Sequence, residues 1–512
     1  MHDLVNAINS YVWSPVLIYL CLGAGLFYSV MTRFVQVRMF KEMWVLLFSG
    51  TKTDKGISSF QALSVSLSGR VGTGNISGVA AAIGFGGPGA IFWMWVVAFL
   101  GAATAYIEST LAQIYKEEDN GQYRGGPAYY FEKVLGQKWY GILFAIAMII
   151  STGLCLPMVQ SNSIGNAISN AFGSGSVVET AVGSFEFTKI LCGTLILIAL
   201  GFIIFGGVKR IAAFAQIVVP FMALAYIIVA CVIVALNITE LPGIIGQIVG
   251  DAFTPMAGFG AAIGWGVKRG VYSNEAGQGT GPHHAAAAEV DHPAQQGIVQ
   301  AFSVYVDTLF VCSATAFMIL ITGAYNVHGN GDAFLIQNLA ATIDANSPAF
   351  TQYAVETTLP GVGGIFIAIA LLFFAFTTIL AYYYIAETNV AYINRFVHIP
   401  VLSLFMKLGL MAVVFYGTIN TASLAWGIGD LGLGMTVWLN VVGILIIFFI
   451  SKPAIIALKD YEQQRKDGVS AYAFNPEKLG IKNADFWEMR LNGTANASSG
   501  TNTDSGENPK TV

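Results

Sequence analysis

Long apolar runs separated by short polar connections make up most of this chain. A helix that crosses a bilayer needs roughly 17 to 25 mostly apolar residues. Runs of that kind fall near 12-32, 57-84, 89-116, 138-170, 187-205, 210-237, 257-285, 294-323, 360-388, 399-417 and 430-452, which predicts eleven transmembrane helices in an all-α polytopic membrane protein. Two runs are irregular. Within 57-84 the stretch Ser68-Gly69-Arg70-Val71-Gly72-Thr73-Gly74-Asn75 places three glycines, a cation and an amide where a membrane helix should continue. Within 257-285 the glycines Gly258, Gly260, Gly264, Gly266 and Gly270 interrupt the run around Trp265, Lys268 and Arg269, and Tyr272-Ser273-Asn274-Glu275-Ala276-Gly277 follows.

In lipid each unpaired backbone N–H or C=O costs several kcal/mol, so a broken helix survives only where protein or ligand satisfies the freed groups. With the first run set aside, the remaining ten divide as five plus five, and each half opens on its irregular segment. The predicted organisation is a leading helix and cytoplasmic loop over 1-56, a first five-helix repeat over 57-237, a second over 257-452, and a cytoplasmic tail over 453-512. Glycine-interrupted segments at matching positions of two halves point to an inverted-repeat transporter with its site between the breaks. Half-helix N-termini there offer N–H groups to a carboxylate, and unwound carbonyls can hold Na⁺ or an ammonium group. A zwitterionic amino acid suits such a site. Gly78 and Gly84 are read instead as small-residue packing faces.

Composition supports the membrane reading: of 512 residues, 55% are hydrophobic and 11% charged, against roughly 25% charged in a soluble domain. The net charge of −4 argues against a nucleic-acid partner. Cys21, Cys155, Cys192, Cys231 and Cys312 stand singly in apolar runs, without metal-site or disulfide spacing. Lys and Arg alternate between connections. Arg33, Arg38, Lys41, Lys52 and Lys55 fill the first, Lys116, Arg124, Lys133 and Lys138 the third, and Lys209 and Arg210 the fifth, whereas 171-188, 238-256 and 324-359 have none. The positive-inside rule then puts the N-terminus outside and the C-terminus in the cytoplasm, with the protein in the plasma (inner) membrane. The loop 324-359 is expected to carry short helices at the outer mouth. From Asn492 the tail is dominated by Asn, Ser, Thr and Gly and is expected to be disordered, so the sequons at Asn492 and Asn496 are chance matches.

The run Gly86-Gly87-Pro88-Gly89-Ala90-Ile91-Phe92-Trp93-Met94-Trp95-Val96-Val97-Ala98-Phe99-Leu100-Gly101 resembles the signature of the alanine or glycine:cation symporter family, the sodium:alanine symporters. Val71 to Gly78, Arg269 to Gly277 and Phe376-Thr377-Thr378-Ile379-Leu380 resemble it too, so the resemblance spans residues 55 to 490. It implies a LeuT-like fold and Na⁺-driven uptake of alanine or glycine by alternating access, with the sodium ion co-transported. It also implies substrate contacts from Gly72, Thr73, Gly74, Asn75, Gln160, Gly264, Trp265, Gly266 and Tyr382. A sodium site is implied at Thr377 and Thr378, completed by carbonyls around Gly69 and Gly72, since hard oxygen ligands suit a hard cation. Where the family pattern often has Gly-Trp after Thr-Thr-Ile-Leu, this chain has Ala381-Tyr382, which alters the expected pocket volume.

Ionisable residues within spans default to functional hypotheses. Arg70, Glu108, Arg269, Glu275 and Asp307 are expected to form an inner-gate ion-pair network, with Asp307 pairing with Arg269 or structuring the site. His283, His284 and His292 beside Glu289 and Asp291 match no zinc spacing, and Asp291-His292-Pro293 reads as a loop. A channel would want a continuous polar lining, and an enzyme a nucleophile with its base; the chain shows neither pattern. Another LeuT-fold symporter, with a different small substrate or proton coupling, is the alternative.

Overall fold

The computed structural model describes residues 2–48, 56–119, 121–180, 183–329 and 333–500. Lys52 and Lys55 of the first basic connection, and the tail beyond residue 500, lie outside them. Among the described residues eight helices are long and apolar enough to cross a membrane: Gly89–Ile114, Lys138–Phe172, Phe187–Ile204, Lys209–Leu236, Pro293–Thr322, Gly363–Val397, Leu402–Ile419 and Ala422–Ile450. The leading helix adds a ninth if Asp3–Val12 and Pro15–Met31, bent by 40°, are taken together. The two irregular runs are each helical in pieces. The first comprises Ser59–Arg70, a wide π turn at Gly74–Gly78, and Val79–Gly86; the second comprises Phe259–Asn274 and Gly281–Ala287.

Local chemistry sets these boundaries. Ser58 starts the first broken segment with a reciprocal cap, its hydroxyl accepting from the Gln61 N–H at 3.2 Å while the Gln61 side chain accepts from the Ser58 N–H at 3.1 Å. The helix ends at Arg70, and Gly72 just beyond lies where no side chain fits: a Cβ there would be 2.9 Å from the Gln160 amide oxygen and would run into the Thr378 hydroxyl.

The second break corrects the sequence expectation. Gly258 to Gly270 does not unwind; the chain stays helical from Phe259 to Asn274 and gives way at Glu275, where φ is +58°, followed by Gly277 and Gly279 at +84°. The reason lies in spacing: Gly266 and Gly270 are one turn apart and face Gly89–Ile114, where a Cβ at 266 would sit 2.5 Å from the Ala90 carbonyl oxygen and one at 270 would strike Val97. They are close-packing glycines. The last span also differs, beginning at Ala422, about two turns before the expected boundary.

Both broken segments are enclosed, packing on each other and on Pro293–Thr322 and Gly363–Val397. Phe187–Ile204, Lys209–Leu236 and Leu402–Ile419 form an outer belt that exposes Phe202, Ile217, Phe221 and Phe405. One end of the bundle carries the loop 324-359, with the hairpin of Asn326–His328 and Phe334–Gln337 and the helix Ala349–Thr358. The other carries the tail. Helix Pro453–Lys466 accepts Arg33 and Arg38 on Glu462 at 2.9 and 2.7 Å. In Asp485–Gly500, Trp487 donates to the Gln113 carbonyl at 2.9 Å and Arg490 pairs with Glu289 at 2.7 Å. The stretch expected to be structureless from Asn492 thus begins inside this helix. His292, expected in a loop, caps Pro293–Val304: its Nδ1 accepts the Ala294 N–H, and its Nε2 lies 3.0 Å from Asp460. Burial holds its pKa below the usual imidazole value, against the opposing pull of Asp460.

The packing role of Gly266 is testable. Gly266→Val forces a branched side chain against Ala90 and Trp93 and is expected to cost about 1–3 kcal/mol, read as a lowered thermal unfolding midpoint of the purified protein. Gly264→Ala, with only Ile18 nearby at 3.5 Å, is expected to leave that midpoint in place.

Candidate functional site

Two backbone N–H groups freed by the first break point at side-chain amides. The Gly72 N–H donates to Asn75 Oδ1 at 2.8 Å, and the Thr73 N–H donates to Gln160 Oε1 at 2.9 Å. Two adjacent donors, each met by a neutral amide oxygen, form a pair that a carboxylate can take over by displacing those amides. Gln160, on Lys138–Phe172, reaches the break because Pro157 to Ser163 is buried against it, and its Nε2 donates to the Tyr272 hydroxyl at 3.4 Å. Tyr272 in turn packs its ring 4.8 Å from that of Trp426. Thr73 and Asn75 have no exposed surface.

A second cluster lies on the other side of the break. The Thr378 hydroxyl has three carbonyl oxygens around it, Ser68 at 2.8 Å, Phe374 at 2.9 Å and Val71 at 3.5 Å. The Ser68 and Val71 carbonyls, both from the break, thus face a single hydroxyl proton that Phe374 of the Thr378 helix also draws on. Thr377, its expected partner, turns away, with its hydroxyl donating to Phe373 and Phe374 of its own helix at 2.9 and 3.0 Å. Adjacent positions on a helix point about 100° apart, so Thr377 and Thr378 do not face the same break. The carbonyls that approach Thr378 are those of Ser68 and Val71, one residue before the expected Gly69 and Gly72.

The charged residues divide into separate groups. Arg269 pairs with Asp430 at 2.8 Å, and Lys268 reaches the same carboxylate at 2.5 Å. Asp307 is not their partner. Its Oδ1 accepts from Asn75 Nδ2 at 2.7 Å and Ser273 Oγ at 3.0 Å, and its Oδ2 from Thr308 at 2.7 Å. Glu108 serves the second break, accepting from the Gly277 N–H at 3.2 Å and from Asn440 at 2.7 Å. Glu275 accepts from Thr280 at 2.9 Å and lies near Tyr382. Arg70 is buried and donates to the Gln300 carbonyl at 3.1 Å and to Ser303. It feels Glu275, Glu108 and Asp307 through space, without an ion-pair contact among the described residues. The single network expected from sequence is thus replaced by an ion-paired group around Asp430 and a looser one around Arg70.

Trp265 belongs with the first group, not with the break. Its ring stacks on Phe85 at 4.6 Å and lies 5.0 Å from both the Lys268 and Arg269 cationic heads. Gly264 and Gly266 sit on the same unbroken helix, away from the freed backbone, which removes the basis for grouping them with Gly72 to Asn75. Sequence reasoning missed Asp430. Its signal was present, since an acid inside a span is rare, but the predicted span began at 430 and so treated it as a boundary residue. Ser273 was quoted without a role, and nothing in its local sequence marks its contact with Asp307.

A model of the sodium:alanine symporter family matches residues 1–475. The chain is 58% identical over 492 residues to YrbD of Bacillus subtilis, provisionally named a sodium/proton-dependent alanine carrier protein, with 95% of this chain and 98% of that one covered. It is 49% identical over 447 residues to the sodium/proton-dependent alanine carrier protein of Bacillus sp. strain PS3, covering 86% and 96%. To the sodium/alanine symporter AgcS of Methanococcus maripaludis it is 37% identical over 457 residues, covering 87% and 94%. Among solved structures, the crystal structure of MhsT in complex with L-phenylalanine superposes with a TM-score of 0.52 at 14% identity, covering 80% of this chain and 99% of that one. That likeness is one of fold, a LeuT-like arrangement of membrane helices. The chain belongs to the sodium:alanine symporter family.

Proposed function

We propose that this protein uses an inward Na⁺ gradient to drive uptake of a small neutral amino acid, alanine or glycine, by alternating access. The observation that carries the reading is the oxygen cluster at Thr378. The Thr378 hydroxyl and the carbonyls around it offer lone pairs to a hard cation, and two of those carbonyls, Ser68 and Val71, exist as free acceptors only because the helix breaks there. The amino-acid carboxylate then takes the Gly72 and Thr73 N–H groups from Asn75 and Gln160. Cation and substrate thus bind to opposite sides of one short stretch of unwound backbone, which gives each a reason to favour the presence of the other. Tyr272 and Trp426, packed ring to ring at 4.8 Å beside Gln160, supply the apolar side.

The broken segments belong to two five-helix halves, 57-237 and 257-452, which together with the leading helix make eleven spans in this reading. The basic connections support an external N-terminus and a cytoplasmic C-terminus, since Arg33, Arg38 and Lys133 lie at the end where the tail packs. On that orientation Lys268, Arg269 and Asp430 close the outer side, near Asn346 of the loop, to which Trp426 donates at 2.8 Å. Arg70, Glu108 and Glu275 lie on the inner side. Relatives named as sodium/proton-dependent alanine carriers support both the substrate and the coupling.

In proteoliposomes an inward Na⁺ gradient is expected to concentrate labelled alanine above its external level, and uptake that is unchanged when choline replaces Na⁺ would overturn the sodium coupling. Thr378→Ala is expected to raise the Na⁺ concentration for half-maximal uptake about tenfold, equivalent to about 1.4 kcal/mol. Thr377→Ala is expected to move it less than about twofold, because that hydroxyl meets only carbonyls of its own helix and none of the broken segment. Equal effects of the two substitutions would remove the oxygen cluster as the sodium site.

A further inference from the structure

Lys268 and Arg269 carry two positive charges and share one carboxylate, Asp430, with no other Asp or Glu within ion-pair distance of either among the described residues. One positive charge is left in excess among the rings of Trp13, Trp265 and Trp426. Ring faces offset only part of the cost of holding it away from water. The two cations differ in access, the Arg269 side chain being 1% exposed and the Lys268 side chain 14%. Lys268 reaches solvent through a cavity of about 340 Å³ between the leading helix and Phe259–Asn274, walled also by Asn6, Asn9, Ser10, Trp13 and Trp265. We propose that this cavity binds a singly charged anion at Lys268, at a site separate from the sodium cluster and from the amino-acid contacts at the breaks.

Donors outnumber acceptors around the cavity. An ammonium has three N–H groups, and Lys268 gives one to Asp430 at 2.5 Å while the others meet no acceptor among the described residues. The Trp265 indole N–H and the Asn6 amide also have no acceptor among the described residues. Asn9 and Ser10 differ, since they donate to the Gly427 carbonyl at 2.8 Å and to the Ala7 carbonyl at 2.7 Å. No Asp or Glu lines the cavity, and the charged groups that Lys268 feels are Asp430 and Arg269. Surplus N–H donors, one of them cationic, with no carboxylate among them repel metal cations and ammonium groups and suit a ligand that is an acceptor with a negative charge.

Occupancy brings the group of Lys268, Arg269 and Asp430 to net zero charge. Both cations sit on Phe259–Asn274 and Asp430 on Ala422–Ile450, so any parting of these two helices separates the ion pairs. With an anion on Lys268, that parting leaves one bare cation instead of two, which lowers the barrier that the pairs impose. A halide from solution and the phosphodiester of a lipid headgroup share the required chemistry, a single negative charge carried by acceptor atoms. The second source is within reach because Leu4 and Tyr11 of the leading helix, and Val16 and Tyr19 after its bend, are exposed neighbours in sequence of the lining residues.

The test titrates bromide into the purified full-length protein in lipid-free detergent, replacing gluconate at constant Na⁺ and ionic strength, with tryptophan fluorescence as the readout. Bromide in contact with an indole quenches its emission. Wild type is expected to show a saturable quenching component, from Trp13 and Trp265, that chloride displaces, above the linear quenching of exposed rings. Lys268→Gln is expected to lose the saturable component and Lys268→Arg to keep it. Linear quenching alone in wild type overturns the proposal, as does saturable quenching that survives in K268Q at the same midpoint. If K268Q does not fold, Asn6→Asp decides: a carboxylate on the exposed wall must raise the bromide midpoint about threefold, and an unmoved midpoint overturns the proposal. Phosphatidylglycerol added to the micelles then assigns the source, and either result keeps the site: a bromide midpoint that rises with it and not with phosphatidylcholine identifies a lipid phosphate as the occupant, and an unchanged midpoint a free halide.

Discussion

A polypeptide within a bilayer must satisfy its own backbone hydrogen bonds, and every feature of the central site follows from how this chain does so where its helices stop. At the first break the freed N–H groups go to Asn75 and Gln160 and the freed carbonyls to Thr378. At the second, Glu108 takes the Gly277 N–H. Gln160, Thr378 and Glu108 come from other helices and Asn75 from the next turn of the same segment, so the unwound backbone is held by side-chain bonds that can be exchanged for a ligand's. A continuous helix could not offer this, because its polar groups are already paired along its own axis.

The same constraint explains the distribution of charge. Lys268 and Arg269 share Asp430, which leaves a net positive group enclosed by Trp13, Trp265 and Trp426. Aromatic faces offset part of the desolvation cost of such cations. Breaking a buried pair costs about 3–5 kcal/mol when one partner is left uncompensated, so this group acts as a rigid closure unless water reaches it. Arg70 is different, because it is held by a carbonyl and a hydroxyl and by no carboxylate contact. It can exchange partners without separating an ion pair.

Much of this architecture was legible in the sequence. Apolar run length located the eight helices that are long enough to span, and the cluster of glycines with Asn75 identified the first break, because no packing face needs three glycines, a cation and an amide in eight residues. The second break was misplaced because glycine signals close packing and unwinding alike. Gly266 and Gly270 pack, whereas Gly277 and Gly279 turn, and only the φ values of +84° separate them. Thr377 and Thr378 could not be told apart by type, since their difference is one of helical direction. The pairing of Arg269 was hidden for another reason: its partner Asp430 is 161 positions away and was read as lying at a span boundary.

The tail gives the fold a mechanical property of its own. Arg490 holds Glu289 and the Val290 carbonyl, and these residues lie just after Gly281–Ala287, the later half of the second broken segment. The Ile57 N–H, at the foot of the first, bonds to Ala287 at 3.1 Å. Ser59–Arg70 and Gly281–Ala287 are therefore moored to one another, and the second of them to the tail, on the same face. A swing of either transmits load to Asp485–Gly500, so this helix acts as ballast on any motion of the two broken segments at that end of the bundle.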